Sequence, residues 1–355
     1  MMQALYTSLL EPILQQAQEL YCVPGLAVAV TQGGDVVYSQ AFGVMDISTG
    51  NPVTPGSLFH VAGVTRTFVA AAIMQLVERR QLSLDSRVST LLPYFRVDHE
   101  GASSITVRQL MSHTAGMPDG GHDRRASRDY DEGALERYIR GLQQEKPVAA
   151  PGEAYFESDV GYRVLGDVIA KVSGQTFEGY MQREILAPLG MTTSTLNFHE
   201  APPGSIATPH ILRGDVVRPS PVFPYYRAYA PSGTLFASVT EMARWAVASV
   251  HRGEIDGVRI LEPASYDVMW RAVAQTGRGD GSWTSLGWFL REHHGQTVVE
   301  HEGTTLGFGA GLSLVPEASI GVVVLSNYEY APVRALTNAC LDAAFGLVPE
   351  ALTPP

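Results

Sequence analysis

The chain has 355 residues, of which 45% are hydrophobic and 17% are charged. This composition excludes a disordered chain or a coiled coil, and the length fits one large domain or two interleaved ones. The net charge of −11 argues against nucleic acid as a partner. The two cysteines, Cys22 and Cys340, do not have the spacing of a metal or redox pair, so we predict neither a cofactor nor a metal site.

Residues 1–21 predict a packed amphipathic helix. Leu5, Leu9 and Ile13 recur at roughly helical spacing, and the segment has no basic residue but contains Glu11. A secretory signal would instead begin with basic residues and continue in an unbroken apolar run. No run in the sequence is long enough to span a bilayer. We therefore expect a cytoplasmic protein that has no membrane partner.

The rest of the chain predicts strands near both ends and helices between them. Two apolar runs, 25–30 and 35–38, are joined by Gly33-Gly34 and predict a hairpin, and a helix is expected at about 65–80. Further helices are predicted at 132–144, 160–172 and 177–185. After these come a helix at 240–249, strands at 286–290, 297–300, 309–315 and 321–325, and a closing helix at 333–345. This order predicts an α+β fold in which one sheet is assembled from both ends of the chain. The sheet domain would comprise 1–94 and 231–355, and 95–230 would be an inserted, mainly helical subdomain.

Five segments resemble the family of class C serine β-lactamases, DD-peptidases and related esterases. They occur in the family's order at 59–68, 110–118, 151–159, 190–191 and 301–303. Together they span nearly the whole chain. The resemblance implies the penicillin-binding-protein-like fold, with an antiparallel sheet flanked by the terminal helices.

The residues at the family's catalytic positions differ from the family pattern. In the family, a Ser-x-x-Lys pair begins the helix that follows the first strands, and the serine is acylated. The corresponding residues here are Gly63 and Arg66, and the Tyr-x-Asn motif corresponds to Glu157 and Asp159. The Lys/His-x-Gly motif remains as His301-Glu-Gly303. Glycine has no nucleophile, and a guanidinium does not accept a proton at neutral pH, so we do not expect a covalent serine hydrolase.

The backbone and the replaced side chains suggest another chemistry. By resemblance, the amides of Gly63 and Thr304 would form an oxyanion hole that polarises a carbonyl. Glu157 and His301 would face each other as an acid–base pair, and the missing serine side chain would leave room for a bulkier substrate group. We predict a non-covalent enzyme that acts on a carbonyl of a small-molecule substrate. Isomerase, cyclase or lyase chemistry, for example in secondary-metabolite biosynthesis, would fit.

Three alternatives stay open at this point. The protein could be an inactive pseudoenzyme that binds a ligand or partner, or a hydrolase in which Glu157 activates water. It could also be an esterase or β-lactamase whose nucleophile at position 63 was replaced by engineering. Arg66, Glu157 and Asp159 fit the pseudoenzyme as well as catalysis, because structural ion pairs also occupy clefts.

A cluster of tyrosines is the candidate substrate pocket. Tyr225, Tyr226 and Tyr229 precede a Pro-Ser-Gly segment that borders the cleft in the family, and Gly303 would lie beside them. The alternative is that the tyrosines only cap the helical subdomain. His113 is expected to be structural. The sequence does not predict the oligomeric state.

Overall fold

An antiparallel sheet forms the centre of the protein in the computed structural model, which describes residues 2–120 and 129–354. The described residues contain fifteen strands, which are β1 Gly25–Gln32, β2 Asp35–Asp46, β3 Asn51–Pro52, β4 Phe59–His60, β5 His210–Arg213, β6 Val216–Pro219, β7 Phe236–Ala237, β8 Glu254–Ile255, β9 Val258–Arg259, β10 Ala274–Gln275, β11 Trp283–Thr284, β12 Phe289–His293, β13 Gln296–Thr305, β14 Phe308–Val315 and β15 Ile320–Ser326. Nine of them form the central sheet, in the order β10-β11-β12-β13-β14-β15-β1-β2-β3.

Helices cover the sheet and fill the middle of the chain. They are α1 Met2–Tyr21, α2 Thr65–Glu78, α3 Val88–Leu91, α4 Val107–Met111, α5 Ala134–Arg140, α6 Asp159–Ser173, α7 Phe177–Met181, α8 Ala230–Gly233, α9 Val239–Val250, α10 Pro263–Met269 and α11 Val333–Ala344. None of the helices within 2–120 and 129–354 combines the length and apolar character that crossing a bilayer requires.

The two ends of the chain meet in the sheet, as the sequence predicts. Strand β15 pairs antiparallel with β1 from Leu26↔Ser326 to Gln32↔Ile320. Strand β1 also pairs with β2, which confirms the predicted hairpin. The α+β fold class and the sheet built from both ends are therefore confirmed.

Alternate side chains of β1 enter different cores. Ala27 and Ala29 lie in the large core shared with α2, α6 and α9, whereas Leu26 and Val28 lie in a second core with α1 and α11. This alternation follows from the two-residue period of a strand. Because both faces of β1 are covered, its sequence is an almost continuous apolar run. The catalytic-site candidates lie on the side of the large core.

Some predicted element bounds are wrong. The strand predicted at 286–290 begins only at Phe289, because Gly287 has a φ of 83° and its N–H donates to the Met111 carbonyl. The helix predicted at 132–144 is α only over Ala134–Arg140 and continues as a 3₁₀ turn. The helix predicted at 177–185 is α over Phe177–Met181 and continues as a π turn. The domain bounds 1–94, 231–355 and 95–230 stay a prediction.

Candidate active site

Gly63 lies in a single 3₁₀ turn, Ala62–Val64, directly before α2. A Cβ atom added at Gly63 would lie 3.0 Å from the Glu302 carbonyl oxygen and 3.0 Å from the His301 Cε1 atom. The imidazole and strand β13 therefore occupy the space next to this position. The expected room for a bulkier substrate group, in place of the serine side chain, stays a prediction.

Strand β13 packs directly against the amide of Gly63. A Cβ atom added at Gly303 would lie 2.2 Å from the Gly63 nitrogen and 2.8 Å from the Ala62 Cβ atom. Only a residue without a side chain fits at this crossing. Thr304 is the next residue of β13 and pairs with Gly309 of β14. The two predicted oxyanion-hole residues thus belong to segments that are in contact.

Arg66 projects from the first turn of α2 and is buried. Its Nη1 atom donates to Glu157 Oε1 at 2.6 Å, Nη2 donates to Asp159 Oδ1, and Nε donates to the Ser232 carbonyl at 3.2 Å. Burial alone would lower the pKa of Arg66, but Asp159 and Glu157 outweigh it and raise the pKa. All three guanidinium nitrogens donate to protein oxygens, so Arg66 is a fixed cation.

Asp159 begins α6 and joins two arginines. Ser158 caps this helix by accepting a hydrogen bond from the Gly161 N–H, and a carboxylate in the first turn is favourable next to the positive end of the helix dipole. Besides Arg66, Asp159 contacts the buried Arg163, whose Nη2 atom lies 3.2 Å from Oδ2. The guanidinium of Arg163 lies 3.5 Å from the ring centroid of Tyr229. Asp159 is thus paired with two buried arginines, which fits a structural role.

Glu157 lies between two arginines, at the edge of the charged cluster that Arg66, Glu157, Asp159 and Arg163 form. It accepts hydrogen bonds from Arg66, from Arg278 and, at 3.1 Å, from the Tyr155 hydroxyl, and its side chain is 36% exposed. Burial alone would raise the pKa of Glu157, but Arg66, followed by His113, His301 and Arg278, lowers it well below its ordinary value. Glu157 is therefore an ionised carboxylate at neutral pH, and this geometry does not favour it as a proton acceptor.

His301 is buried within β13 and stands against Gly63. Its Nδ1 atom lies 2.6 Å from the Glu302 carbonyl oxygen, which makes Nδ1–H the donor and leaves a lone pair on Nε2. Nε2 is buried and has no hydrogen-bond partner in the part of the chain that the structure describes. Burial, reinforced by Arg66, lowers the pKa of His301 to about 3, so the imidazole is neutral. No hydrogen bond between His301 and Glu157 is present within the described ranges.

His113 positions the start of α6, as the sequence analysis expects of a structural histidine. Its Nδ1 atom accepts a hydrogen bond from the Ser158 N–H at 3.1 Å. Its ring packs on Tyr162 at 5.0 Å and on Phe289 at 6.3 Å between centroids. His113 thus holds the backbone of Ser158, the residue between Glu157 and Asp159, in place.

The three tyrosines do not form one pocket wall. Tyr225 is buried in a small core with Leu58 and Phe236, and its hydroxyl donates to Asn197 at 3.1 Å. Tyr229 supports Arg163, and the ring of Tyr226 lies 5.3 Å from that of Tyr229. These contacts favour the capping alternative for Tyr225, and they link only Tyr229 to the charged cluster. A substrate pocket at these residues stays a prediction.

Sequence reasoning missed three partners of the cluster. Arg278, Tyr155 and Arg163 each contact Glu157 or Asp159. Arg163 stands four residues after Asp159, and residues four apart on a helix are neighbours, so the predicted helix offered a signal for this contact. Tyr155 stands only two residues before Glu157. Arg278 comes from a distant loop rich in glycine, and no local pattern indicates it.

The chain is similar in sequence and structure to known proteins over most of its length. Residues 10–345 match the sequence model of a family described as Beta-lactamase. Penicillin-binding protein 4 of Amycolatopsis lactamdurans is 29% identical over 349 residues, which are 94% of this chain and 89% of that protein. Unguisins hydrolase ungD' of Aspergillus campestris is 26% identical over 95% of this chain, which spans 65% of that protein. The octameric penicillin-binding protein homologue of Pyrococcus abyssi superposes with a TM-score of 0.85 at 28% identity, covering 96% of this chain and 77% of that one.

Proposed function

Because the chain belongs to the beta-lactamase family and has glycine where the family resemblance predicts the acylated serine, we propose a non-covalent enzyme of small-molecule metabolism. It would bind a carbonyl compound at the amides of Gly63 and Thr304 and move a proton with His301. The observation that carries this proposal is the buried His301 Nε2 atom, which has no hydrogen-bond partner in the described residues and belongs to an imidazole whose Cε1 atom lies beside Gly63. A buried acceptor that has no partner is costly, and a substrate donor would satisfy it.

The residues at the cleft do not supply the parts of an acylation mechanism. Gly63 has no side-chain atom that could bond to a substrate, and Arg66 is held as a cation by two carboxylates. Neither lysine can substitute, because Lys171 pairs with Glu136 and Lys146 is exposed beside Asp98. The proposal therefore uses no covalent intermediate.

The proposed proton transfer balances within the site. The proton of a C–H bond next to the carbonyl moves to His301 Nε2, and the electron pair forms an enolate whose oxygen is held by the two amides. Glu157 then has an electrostatic role, since its charge favours the protonated imidazole while the arginines oppose it. This role replaces the direct acid–base partnership that the sequence analysis expects.

The low pKa of His301 restricts the substrate class. A weak base removes only an acidic proton efficiently, so the carbonyl must be activated, as in a thioester or a β-dicarbonyl compound. Returning the proton at another atom gives isomerisation. Loss of a β-substituent gives elimination, and attack of the enolate carbon within the same molecule gives cyclisation.

Deuterium exchange tests the proposal. We would incubate the protein in D₂O with N-acyl amino-acid thioesters and β-keto esters and follow deuterium at the α-carbon by mass spectrometry. We expect enzyme-dependent exchange that is lost in His301→Gln and kept in the control His251→Gln, which changes an exposed histidine. Exchange that survives His301→Gln would overturn the role of His301. An increase in protein mass after incubation with a penicillin would overturn the non-covalent mechanism.

Binding without turnover is the second candidate. It is favoured by the closed ion-pair cluster, in which Glu157 accepts hydrogen bonds from two arginines and a tyrosine. The same compounds would then raise the melting temperature without any deuterium exchange. The water-activating hydrolase is not favoured, because both oxygens of Glu157 already accept hydrogen bonds from Arg66, Arg278 and Tyr155, whereas His301 Nε2 has no partner in the described residues.

A further inference from the structure

Two histidines and an aspartate converge outside the cleft, where β12 turns into β13 next to α11. His293 Nε2 lies 2.8 Å and His294 Nε2 lies 3.0 Å from the same atom, Asp342 Oδ1. The three ligand atoms all lie within 4.8 Å of one another. The side chains of His293 and Asp342 are 16% and 13% exposed, and that of His294 is 52% exposed. The cluster is thus anchored in the protein and open on one side.

The turn conformation brings both imidazoles to the same side. Neighbouring residues of a strand point to opposite faces, so His293 and His294 would normally diverge. His293 pairs with Gln296, and the two residues between them, His294 and Gly295, have φ values of 49° and 74°. This left-handed two-residue turn breaks the alternation and directs the second ring toward Asp342. The ring centroids of the two histidines are only 4.4 Å apart.

We propose that His293, His294 and Asp342 bind one zinc ion. Two imidazoles and a carboxylate are zinc ligands, and a tetrahedral ion with bonds of about 2.0–2.2 Å separates its ligand atoms by about 3.3 Å. The observed separations of 2.8 and 3.0 Å from Asp342 therefore need to widen by only a few tenths of an ångström. Each histidine would coordinate the ion through the Nε2 lone pair of its neutral form, with the ring proton on Nδ1.

A cavity leaves room for a fourth ligand. It has a volume of about 540 Å³ and is bordered by the three residues, by Tyr21 and by the C-terminal segment 347–353, which includes Glu350. The Tyr21 hydroxyl donates to the Thr353 carbonyl at 2.6 Å and holds this segment beside the cluster. Water or the Glu350 carboxylate can complete the coordination from this side.

The zinc ion would connect the β12–β13 turn to α11. Phe289, which packs on His301, is four residues from His293 along β12, so the two sites are roughly 13 Å apart along the strand. The proposal is independent of the proposed function, and it departs from the sequence-based prediction of no metal site. It assigns the ion a structural role.

His294→Asn is the decisive variant. Asparagine favours the left-handed conformation that position 294 adopts, and Asn-Gly is a preferred sequence for such a turn, so the fold is kept while a ligand is removed. Untagged protein would be dialysed against Zn²⁺ at pH 7.5 and the bound metal measured by elemental analysis and calorimetry. We expect about one equivalent in the wild type. In His294→Asn and in Asp342→Asn we expect affinity that is at least roughly tenfold lower, and His251→Asn serves as the control with an exposed histidine outside the cluster.

The melting temperature separates a metal site from a simple hydrogen-bonded cluster. Without metal, His294→Asn should melt no lower than the wild type. Excess Zn²⁺ should raise the melting temperature of the wild type but not of His294→Asn, because a ligand that binds only the folded state stabilises it. Cobalt should add visible absorption bands in the wild type only. Failure of the wild type to bind Zn²⁺, or equal binding by His294→Asn, would overturn the proposal.

Discussion

Arg66 determines the charge balance of the cleft. It is the cation between Glu157 and Asp159, its side chain is only 6% exposed, and each of its nitrogens donates a hydrogen bond. A buried ion pair contributes little net stability compared with apolar residues, but removal of one partner leaves a buried charge without compensation. Mutation of Arg66 should therefore lower the free energy of unfolding by much more than any one of its contacts contributes to it.

Arg66→Met should lower the free energy of unfolding at pH 7 by about 3–5 kcal/mol. The matched change Arg278→Met removes the other arginine from Glu157, but Arg278 is 34% exposed, so its loss should cost about 1 kcal/mol or less. Chemical denaturation of both variants measures the difference. Equal losses in the two variants would contradict the central place of Arg66.

The stability contribution of Glu157 should depend on pH. Because its pKa is lowered in the folded protein, the ionised form stabilises the fold above the ordinary carboxyl pKa of 4.5, and this contribution is lost as the pH falls toward the folded value. The stability difference between wild type and Glu157→Gln should thus be constant near neutral pH and shrink below about 4.5. Denaturation at several pH values tests this, with the exposed Glu292→Gln as control. A difference that grows in acid would show that the pKa is raised instead.

Motif spacing predicted which residues gather at the cleft, but not what each of them does there. Gly63, Arg66, Glu157, Asp159 and His301 could be assigned from their positions within the five segments. The sequence could not show that both oxygens of Glu157 accept hydrogen bonds, because one of the donors is Arg278 from a distant loop. The neutral state of His301 likewise results from burial and neighbouring arginines, which no local pattern encodes.

At the scale of elements, the site depends on how strand β13 crosses the turn before α2. Gly303 and Gly63 meet where the two backbones pass, and the imidazole of His301 lies beside them. Such a crossing excludes side chains, because protein interiors are close-packed. It also fixes the position of the Gly63 amide, on which the proposed oxyanion hole depends.

Gly303→Ala should therefore destabilise the protein by about 2–3 kcal/mol, since the new methyl group would lie 2.2 Å from the Gly63 nitrogen and the backbone must move. Gly56→Ala is the matched control, because its nearest neighbour would be 3.8 Å away. We expect the control to remain within about 0.5 kcal/mol of the wild type. Thermal unfolding measures both, and a stable Gly303→Ala would contradict the close crossing.

The long periodic elements could be predicted from sequence, whereas local breaks could not. Helix α9 and strands β14 and β15 lie within one or two residues of their predicted bounds. The start of β12 was missed because the Gly287 N–H bonds to Met111, a residue far away in the chain. Hydrophobic periodicity reports burial within one element and carries no information on such a long-range contact.

At the scale of the whole molecule, one large core crosses the predicted domain bounds. Leu165 of α6 belongs to the predicted insertion, whereas Phe68 of α2 and Trp245 of α9 belong to the predicted sheet domain, yet all three lie in the same core. Domains that unfold separately have cores of their own. The shared core predicts that the insertion and the sheet unfold together.

Two core mutations in different layers test this cooperativity. Leu14→Ala in α1 and Leu165→Ala in α6 change residues that are 1% and 0% exposed, so each should cost about 2–5 kcal/mol. Each should shift one common transition, seen at the same temperature by circular dichroism and by fluorescence of the buried Trp245 and Trp288. Leu5→Ala, at a position that is 50% exposed, should leave the transition in place. A variant that splits the transition in two would show that the predicted insertion is an independent domain.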